Sequence, residues 1–153
     1  MELVYKNNEL TIESEKKSIV FGNEGMILDG MLIEMAGEYE KGGFLLHVLE
    51  VDEHRYYELR VEGYTVWYIP DDISEITSGV LDFLGDIDIL VVPGSKAIHS
   101  VIEKIEPRLI AAYGPNAHEL GVVMGVSELP VQKYKLKEAD LVTEKTPCIV
   151  FGN

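Results

Sequence analysis

The stretch "YTVWYIPDDIS", residues 64–74, marks the point at which the sequence changes its pattern. Before it, segments rich in β-branched and aromatic residues alternate with Gly, Asn and acidic turns, which is typical of strands joined by hairpins. After it, apolar residues recur at helical spacing between short apolar runs. We therefore predict one α/β (α+β) domain over residues 1–153, with a β-rich N-terminal half and a βαβαβ C-terminal half.

The N-terminal half contains five clear candidate strands separated by turn residues. They are "ELTIES" (9–14), "SIVFG" (18–22), "GFLLHVLEV" (43–51), "YYELRV" (56–61) and "YTVWYI" (64–69). The segments "VDEH" (51–54) and "EGY" (62–64) have the length and composition of hairpin turns. A succession of strands of this kind predicts an antiparallel or mixed sheet.

In the C-terminal half, two helices are predicted between buried strands. Asp72 stands where an N-cap belongs, and Glu75 three residues later completes a capping box. The apolar stripe of this first helix is Ile73, Ile76, Val80, Phe83 and Leu84, and Gly85 ends it. Ser95 is the predicted N-cap of the second helix, which stops at Pro107. Right-handed crossovers would place both helices on one face of parallel strands, and the tail predicts a strand, a polar turn and a closing strand.

The composition excludes several classes of function. The formal net charge is -14, from 27 acidic and 13 basic residues, so the surface repels nucleic-acid phosphates and anionic lipids. The single cysteine, Cys148, rules out an intrachain disulfide and Cys-rich zinc sites. We found no signal-peptide pattern and no apolar run long enough for a membrane span, and we expect a cytoplasmic protein that binds neither nucleic acid nor membrane.

Candidate site residues lie in three turns that follow the C-terminal strands. In a βαβαβ unit, sites form beyond the C-terminal ends of the strands. The turns "PDD" (70–72), "PGS" (93–95) and "YGPNAHE" (113–119) offer Asp71, Asp72, Ser95, Asn116, His118 and Glu119. We interpret Asp72 as a helix cap. Asp71, His118 and Glu119 are the candidates for acid–base chemistry.

The four histidines are scattered along the chain. His47, His54, His99 and His118 lie in separate segments, and no two have a metal-binding spacing such as H-x-H or H-x-x-x-H. We interpret His47 as a strand residue, His54 as a turn residue and His99 as solvent-facing. The sequence also lacks a nucleophile elbow and a dinucleotide-binding glycine motif.

Several segments, taken in order, resemble one family. "AGEYEKGGFLLHVLEV", "VEGYTVWYIPDD", "LGDIDILVVPGS", "IEKIEPRLIAAYGP" and "YKLKEADLVTEKTPCIVF" are similar in order and spacing to segments of the metallo-beta-lactamase superfamily, in its branch of small zinc-dependent hydrolases of the ascorbate-lactone hydrolase type. The similarity extends over about 120 residues, from Gly37 to Phe151. It implies a trimmed αββα sandwich, with metal ligands at one edge of two sheets.

The resemblance also implies that the metal ligands are missing. Asp71 falls on the family's bridging aspartate, but Tyr68 stands where a histidine is expected, and the terminal histidine falls on or near Gly114. The H-x-H-x-D-H motif should precede Gly37, yet residues 1–46 contain no histidine. We therefore expect no metal and no cofactor, with Asp71 as a leftover ligand position.

Three functional hypotheses follow from these observations. The first is a catalytically inactive pseudo-hydrolase with a binding or assembly role, and the loss of the segment before Gly37 predicts a homo-oligomer, most simply a dimer, that covers the exposed sheet face. The second is a metal-independent or unusually liganded hydrolase that uses the rim of the C-terminal strands. The third is a small-ligand sensor that uses the same rim.

Overall fold

The structure is a computed structural model that describes residues 1–22 and 25–153. One of its two sheets has six antiparallel strands in the order β12-β1-β2-β3-β4-β5. Their bounds are Glu2–Lys6 (β1), Glu9–Ser14 (β2), Lys17–Phe21 (β3), Met26–Leu28 (β4), Met31–Ile33 (β5) and Lys133–Lys135 (β12). The tail strand β12 therefore returns to pair with the first strand of the chain.

The second sheet has seven strands in the order β13-β11-β10-β9-β8-β7-β6. Their bounds are Gly37–Lys41 (β6), Phe44–Val51 (β7), His54–Val61 (β8), Tyr64–Tyr68 (β9), Ile89–Pro93 (β10), Leu109–Tyr113 (β11) and Cys148–Val150 (β13). Strands β6 to β9 are antiparallel, and β9, β10, β11 and β13 are parallel. The change occurs at β9, the strand of the opening stretch, as the sequence predicts.

In the described part of the chain, three α-helices follow the strands β9, β10 and β11. They span Ser78–Leu84 (α1), His99–Ile105 (α2) and Ala117–Val123 (α3), and two short 3-10 helices span Lys96–Ile98 and Glu138–Leu141. The buried apolar residues of all three α-helices belong to one cluster on the outer face of the seven-stranded sheet. The prediction that the crossover helices share one face is confirmed.

The main core lies between the two sheets and follows from the strand register. Leu3, Ile12, Ile19 and Leu28 are successive register partners across β1 to β4 and are fully buried. They face Tyr57, Leu59, Val66 and Val91 of the other sheet in a single apolar cluster. Because side chains alternate along a strand, this register turns every second residue toward the core.

The hairpins of this fold use turns with a left-handed backbone. Both central residues have positive φ at Asn7 and Asn8, at Glu15 and Lys16, and at Asp52 and Glu53. Turns of this conformation match the right-handed twist of the flanking strands. Glu15, Lys16 and Glu53 adopt it without the favoured Gly or Asn, which shows that pairing of the strands outweighs local preference.

The predicted fold class is confirmed, but one local prediction was wrong and several elements were not predicted. Helix α1 begins at Ser78 with Thr77 as its N-cap, whose hydroxyl accepts from the Val80 amide, so the prediction of Asp72 as N-cap was wrong. Helix α3 was not predicted, and neither were β1, β4, β5 and β6. The predicted ends of α1 at Gly85 and of α2 before Pro107 are confirmed, and so is Ser95 as a cap.

Candidate functional site

The candidate site lies at the end of β9, where the chain turns through Pro70, Asp71 and Asp72. Asp71 Oδ2 is 2.7 Å from Nδ1 of His54, the first residue of β8. The two side chains are 44% and 43% exposed, respectively. The structure thus pairs Asp71 with an imidazole at the rim of the sheet.

Asp72 holds a different loop. Its Oδ1 accepts a hydrogen bond of 2.5 Å from the hydroxyl of Ser95, which is itself buried. The same Ser95 oxygen accepts from the Ala97 amide at 3.2 Å and so caps the 3-10 helix before α2. The two adjacent acids therefore tie the β9 turn to two neighbouring loops, because Asp71 holds the β7–β8 hairpin and Asp72 holds the β10–α2 turn.

A glycine makes the second of these connections possible. A Cβ added to Gly94 would lie 3.0 Å from the Ala117 Cα and 3.1 Å from the Ala112 Cβ. Contacts of that length are tighter than most real Cβ contacts, so a side chain at this position would require the neighbouring atoms to shift. Gly94 therefore allows α3 to lie directly against the loop that carries Ser95.

A shallow groove of about 280 Å³ adjoins Asp71. Its charged lining residues are Glu50, Glu53, Arg55 and Asp71, and the Arg55 Nε lies 4.0 Å from the Glu50 Oε1. Burial raises the pKa of the neighbouring Tyr56, and the negative charges of Asp71 and Asp52 raise it further. With three acids and one base, the groove disfavours anionic substrates.

Behind the rim, two tyrosines fill the space between the sheets. The hydroxyl groups of Tyr68 and Tyr113 are 2.8 Å apart, and the Tyr68 hydroxyl donates to the carbonyl of Gly22 at 3.2 Å. Burial raises the pKa of Tyr113 to about 12, and it raises the pKa of Tyr68 still more. Both phenols are therefore protonated at neutral pH, and they connect β9 and β11 to the end of β3.

The other predicted site residues do not converge on Asp71 in this structure. His118 and Glu119 are exposed on the first turn of α3, and Asn116 precedes that helix without a side-chain cap. His47 is half-buried on β7, and His99 is half-buried at the start of α2, where Nδ1 lies 3.5 Å from Glu103.

The residues at the rim do not fit a zinc centre. In residues 1–22 and 25–153, no group of three or more His, Cys, Asp or Glu side chains lies close enough to hold a metal ion. A zinc ion in a protein takes three or four such ligands. His54 and Asp71 supply two, and the expected third position is occupied by the phenol of Tyr68.

Sequence reasoning missed the pairing of His54 with Asp71, although a signal for it was present. In the β8–β9 hairpin, Val61 opposes Tyr64 and Tyr57 opposes Tyr68. Extending this register by three residues in each direction places position 54 opposite position 71. The turn predicted at "EGY" therefore sets the strand register that brings His54 opposite Asp71, because the register follows from the turn length.

No family model matches the sequence, and no curated protein matches it. Among solved structures, the chain is similar to a candidate Zn-dependent hydrolase of the metallo-beta-lactamase superfamily from Thermotoga maritima. The TM-score is 0.73 over 99% of this chain and 98% of that chain, with 16% sequence identity. The likeness shows a metallo-beta-lactamase-like fold.

No helix in the described part of the chain combines the length and the apolar character that crossing a membrane requires.

Proposed function

We propose that this chain is a metallo-beta-lactamase-fold protein that acts by binding or assembly, without the zinc-dependent hydrolysis associated with the fold. The observation that carries the proposal is the Tyr68–Tyr113 pair, with hydroxyl groups 2.8 Å apart. The family resemblance puts Tyr68 at one histidine position and Gly114, next to Tyr113, at another.

The chemistry of these phenols supports the proposal. A two-metal hydrolase needs ligands that hold its ions and lower the pKa of a bound water toward neutrality. The Tyr113 pKa, raised to about 12, keeps its phenol neutral, and a neutral phenol is a poor metal ligand. Asp71 is already bonded to His54, which leaves a donor set of two.

Metal content measures this proposal directly. We expect protein purified in excess zinc, then dialysed, to contain far less than one zinc per chain by mass spectrometry. The Asp71→Ala variant should contain the same amount. Stoichiometric zinc in the wild type that is lost in Asp71→Ala would reject the proposal and support a metalloenzyme.

A metal-independent hydrolase is the second candidate, and the His54–Asp71 contact of 2.7 Å favours it. A carboxylate bonded to Nδ1 fixes the imidazole and leaves Nε2 to act as a base. Hydrolysis of a p-nitrophenyl ester that falls to background in both His54→Ala and Asp71→Asn would support this candidate. Activity that is unchanged in both variants would assign the pair a structural role.

The assembly part of the proposal is a homodimer in the cytoplasm. All three helices lie against the seven-stranded sheet, and the outer face of the six-stranded sheet carries the apolar register partners Val20, Ile27 and Leu32. A second copy could cover that face. Light scattering at micromolar concentration should give twice the mass of the chain, and a monomer would contradict this part.

A further inference from the structure

A row of polar side chains crosses the outer face of the seven-stranded sheet, at the end that the helices leave open. Glu38 opposes His47, His47 opposes Glu58, and Glu58 opposes Trp67 in the strand register. Directly opposed residues on one sheet face lie close enough for their side chains to interact. Phe83 of α1 reaches over this row, with its ring centroid 4.3 Å from that of His47.

Beside Phe83 the sheet face forms a groove of about 250 Å³. Glu38, Leu45, His47, Glu58 and Arg60 are among its lining residues. Glu38, Leu45 and Arg60 are exposed at its edge, whereas Glu58 lies at its base. The groove therefore combines two carboxylates and one guanidinium with apolar side chains.

Glu58 is an incompletely paired carboxylate. Its side chain is only 14% exposed, and its charged partner Arg60 holds Nε 3.8 Å from Oε1, too far for a hydrogen bond. Burial raises the pKa of Glu58, although the charges of Arg60 and His47 act in the opposite direction. A nearly buried carboxylate of this kind is stabilised when a ligand supplies the hydrogen-bond donors that it lacks.

The neighbour of Glu58 is incompletely paired as well. Trp67 is 2% exposed, and within the described part of the chain its Nε1 has no hydrogen-bond partner. Buried polar atoms normally have partners, so such exceptions require an explanation. The indole N–H is a donor and does not itself select a cation, but Trp67 stands directly opposite Glu58 in the strand register and can report on it.

We propose that this groove binds a small organic cation, a primary amine or a guanidinium on an apolar chain. The cationic head would donate to Glu58 in charge-assisted hydrogen bonds, with Glu38 at the edge. The His47 ring and the side chain of Leu45, which both line the groove, would contact the apolar part. The net charge of -14 favours the approach of a cation over that of an anion.

This inference goes beyond the proposed function, because the groove does not include Asp71 or either tyrosine of the buried pair. Glu58 is four residues from His54 along β8, a distance of about 13 Å along an extended strand. The outcome of the zinc measurement therefore does not decide the outcome here.

The chain offers a direct reporter, since Trp67 is its only tryptophan. We suggest titration of the ¹⁵N-labelled protein with butylamine and with agmatine, following the indole N–H resonance and the tryptophan fluorescence. 1-Butanol and butyrate serve as the neutral and anionic counterparts, and sodium chloride matches the ionic strength. The amines are expected to give saturable shifts that the alcohol, the carboxylate and the salt do not.

Two variants and one matched control complete the test. Glu58→Gln keeps the shape of the side chain and should weaken amine binding about tenfold or more. Leu45→Lys places a cation at the exposed edge and should also weaken it. Glu128→Gln changes the net charge equally at an exposed position outside the groove and should bind like the wild type.

The proposal is overturned if 1-butanol shifts the indole resonance as much as butylamine does, because binding would then be only apolar. It is also overturned if Glu58→Gln, shown to be folded by its thermal transition, binds the amines with unchanged affinity. Absence of any saturable shift up to high millimolar amine would overturn it as well.

Discussion

Polar groups are hydrogen-bonded more completely on the inner face of the seven-stranded sheet than on its outer face. On the inner face, the hydroxyls of Tyr68 and Tyr113 are 2.8 Å apart, and they lie 3.2 Å from the Gly22 carbonyl and 3.5 Å from the Phe21 carbonyl, respectively. On the outer face, the Trp67 N–H has no partner among the described residues, and Glu58 has only Arg60 at 3.8 Å. Trp67, at 2% exposure, is as buried as Tyr68 and Tyr113, at 1% and 3%, yet only the tyrosine hydroxyls have hydrogen-bond partners among the described residues.

This difference distinguishes polar groups that stabilise the fold from polar groups that remain available to bind a ligand. A buried polar group that is fully bonded stabilises one arrangement of the chain, and its loss exposes unpaired partners. A buried or partly buried group without good partners lowers the stability of the fold, and a ligand that supplies its missing hydrogen bonds binds favourably. We therefore assign the tyrosines a structural role and expect ligands on the outer face.

The largest effect should come from Tyr68→Phe. This change removes one hydroxyl inside the core between the sheets and leaves the Gly22 carbonyl without its bond. The Tyr113 hydroxyl loses its 2.8 Å partner and keeps only the longer contact of 3.5 Å with the Phe21 carbonyl. We expect the free energy of unfolding to fall by about 1–3 kcal/mol. Urea unfolding at pH 7 measures it.

Tyr57→Phe is the matched control for that change. Tyr57 lies beside Tyr68, with ring centroids 5.4 Å apart, and is buried in the same cluster, but it stands outside the hydroxyl chain. Its loss of a hydroxyl should change the free energy of unfolding by no more than about 0.5 kcal/mol. Equal costs for the two variants would show that the hydroxyl chain adds no specific stability.

The second effect concerns α1, whose Phe83 packs against His47 beside the outer groove. Thr77 caps α1 by accepting from the Val80 amide at 3.3 Å, and the same helix carries Phe83. Thr77→Ala should lower the free energy of unfolding by about 0.5–1 kcal/mol. It should also shift the His47 ring resonances in NMR spectra, because Phe83 lies against that ring. Unchanged resonances would show that the cap does not position Phe83.

The fold was largely predictable because the strands and their turns have strong local patterns. The parallel strands Ile89–Pro93 and Leu109–Tyr113 are continuous apolar runs that are buried on both faces. Helix α3 was missed because its seven residues present only Ala117, Leu120 and Gly121 as buried positions. Such a short stripe does not stand out from a turn. Strands β4 and β5 have three residues each, too few for an alternation to be seen.

The site was less predictable, because its contacts join segments that are far apart in the sequence. Asp72 satisfies the local rule for an N-cap, but it bonds to Ser95, 23 residues away. The true cap, Thr77, also fits the rule, so local preference alone could not choose between them. The Tyr68–Tyr113 contact spans 45 residues and depends on the strand order, which hydrophobic pattern does not specify.

A smaller effect, of opposite sign, is expected for Glu58→Gln. Burial raises the folded-state pKa of Glu58 above its unfolded value, so the carboxylate destabilises the fold once the pH rises through that folded pKa. Below the unfolded pKa the group is protonated in both states and has no such cost. Glu58→Gln should therefore be more stable than the wild type at pH 7, and this advantage should shrink at pH 4.

The comparison for that prediction is urea unfolding of both proteins at the two pH values. Glu128→Gln, an exposed acid, provides the control for the change in net charge. A Glu58→Gln variant that is less stable than the wild type at pH 7 would mean that Glu58 is well paired, and the contrast between the two faces would then fail.

The smallest effect should come from the hydrogen bond that joins buried Ser14 to the exposed carboxylate of Glu62. The Ser14 hydroxyl donates to the Glu62 carboxylate at 2.8 Å, and this bond, with the N-terminal ammonium at 3.1 Å, lowers the pKa of Glu62. A lowered folded-state pKa gives stability that is present above the unfolded pKa, near 4.5, and is lost as the pH falls through the folded pKa. Ser14→Ala should therefore cost stability at pH 7 and progressively less below pH 4.5. The cost should be smaller than that of Tyr68→Phe, because water competes for an exposed carboxylate.

A Ser14→Ala cost that does not change between pH 7 and pH 3 would assign the loss to packing of Ser14 and not to its bond with Glu62.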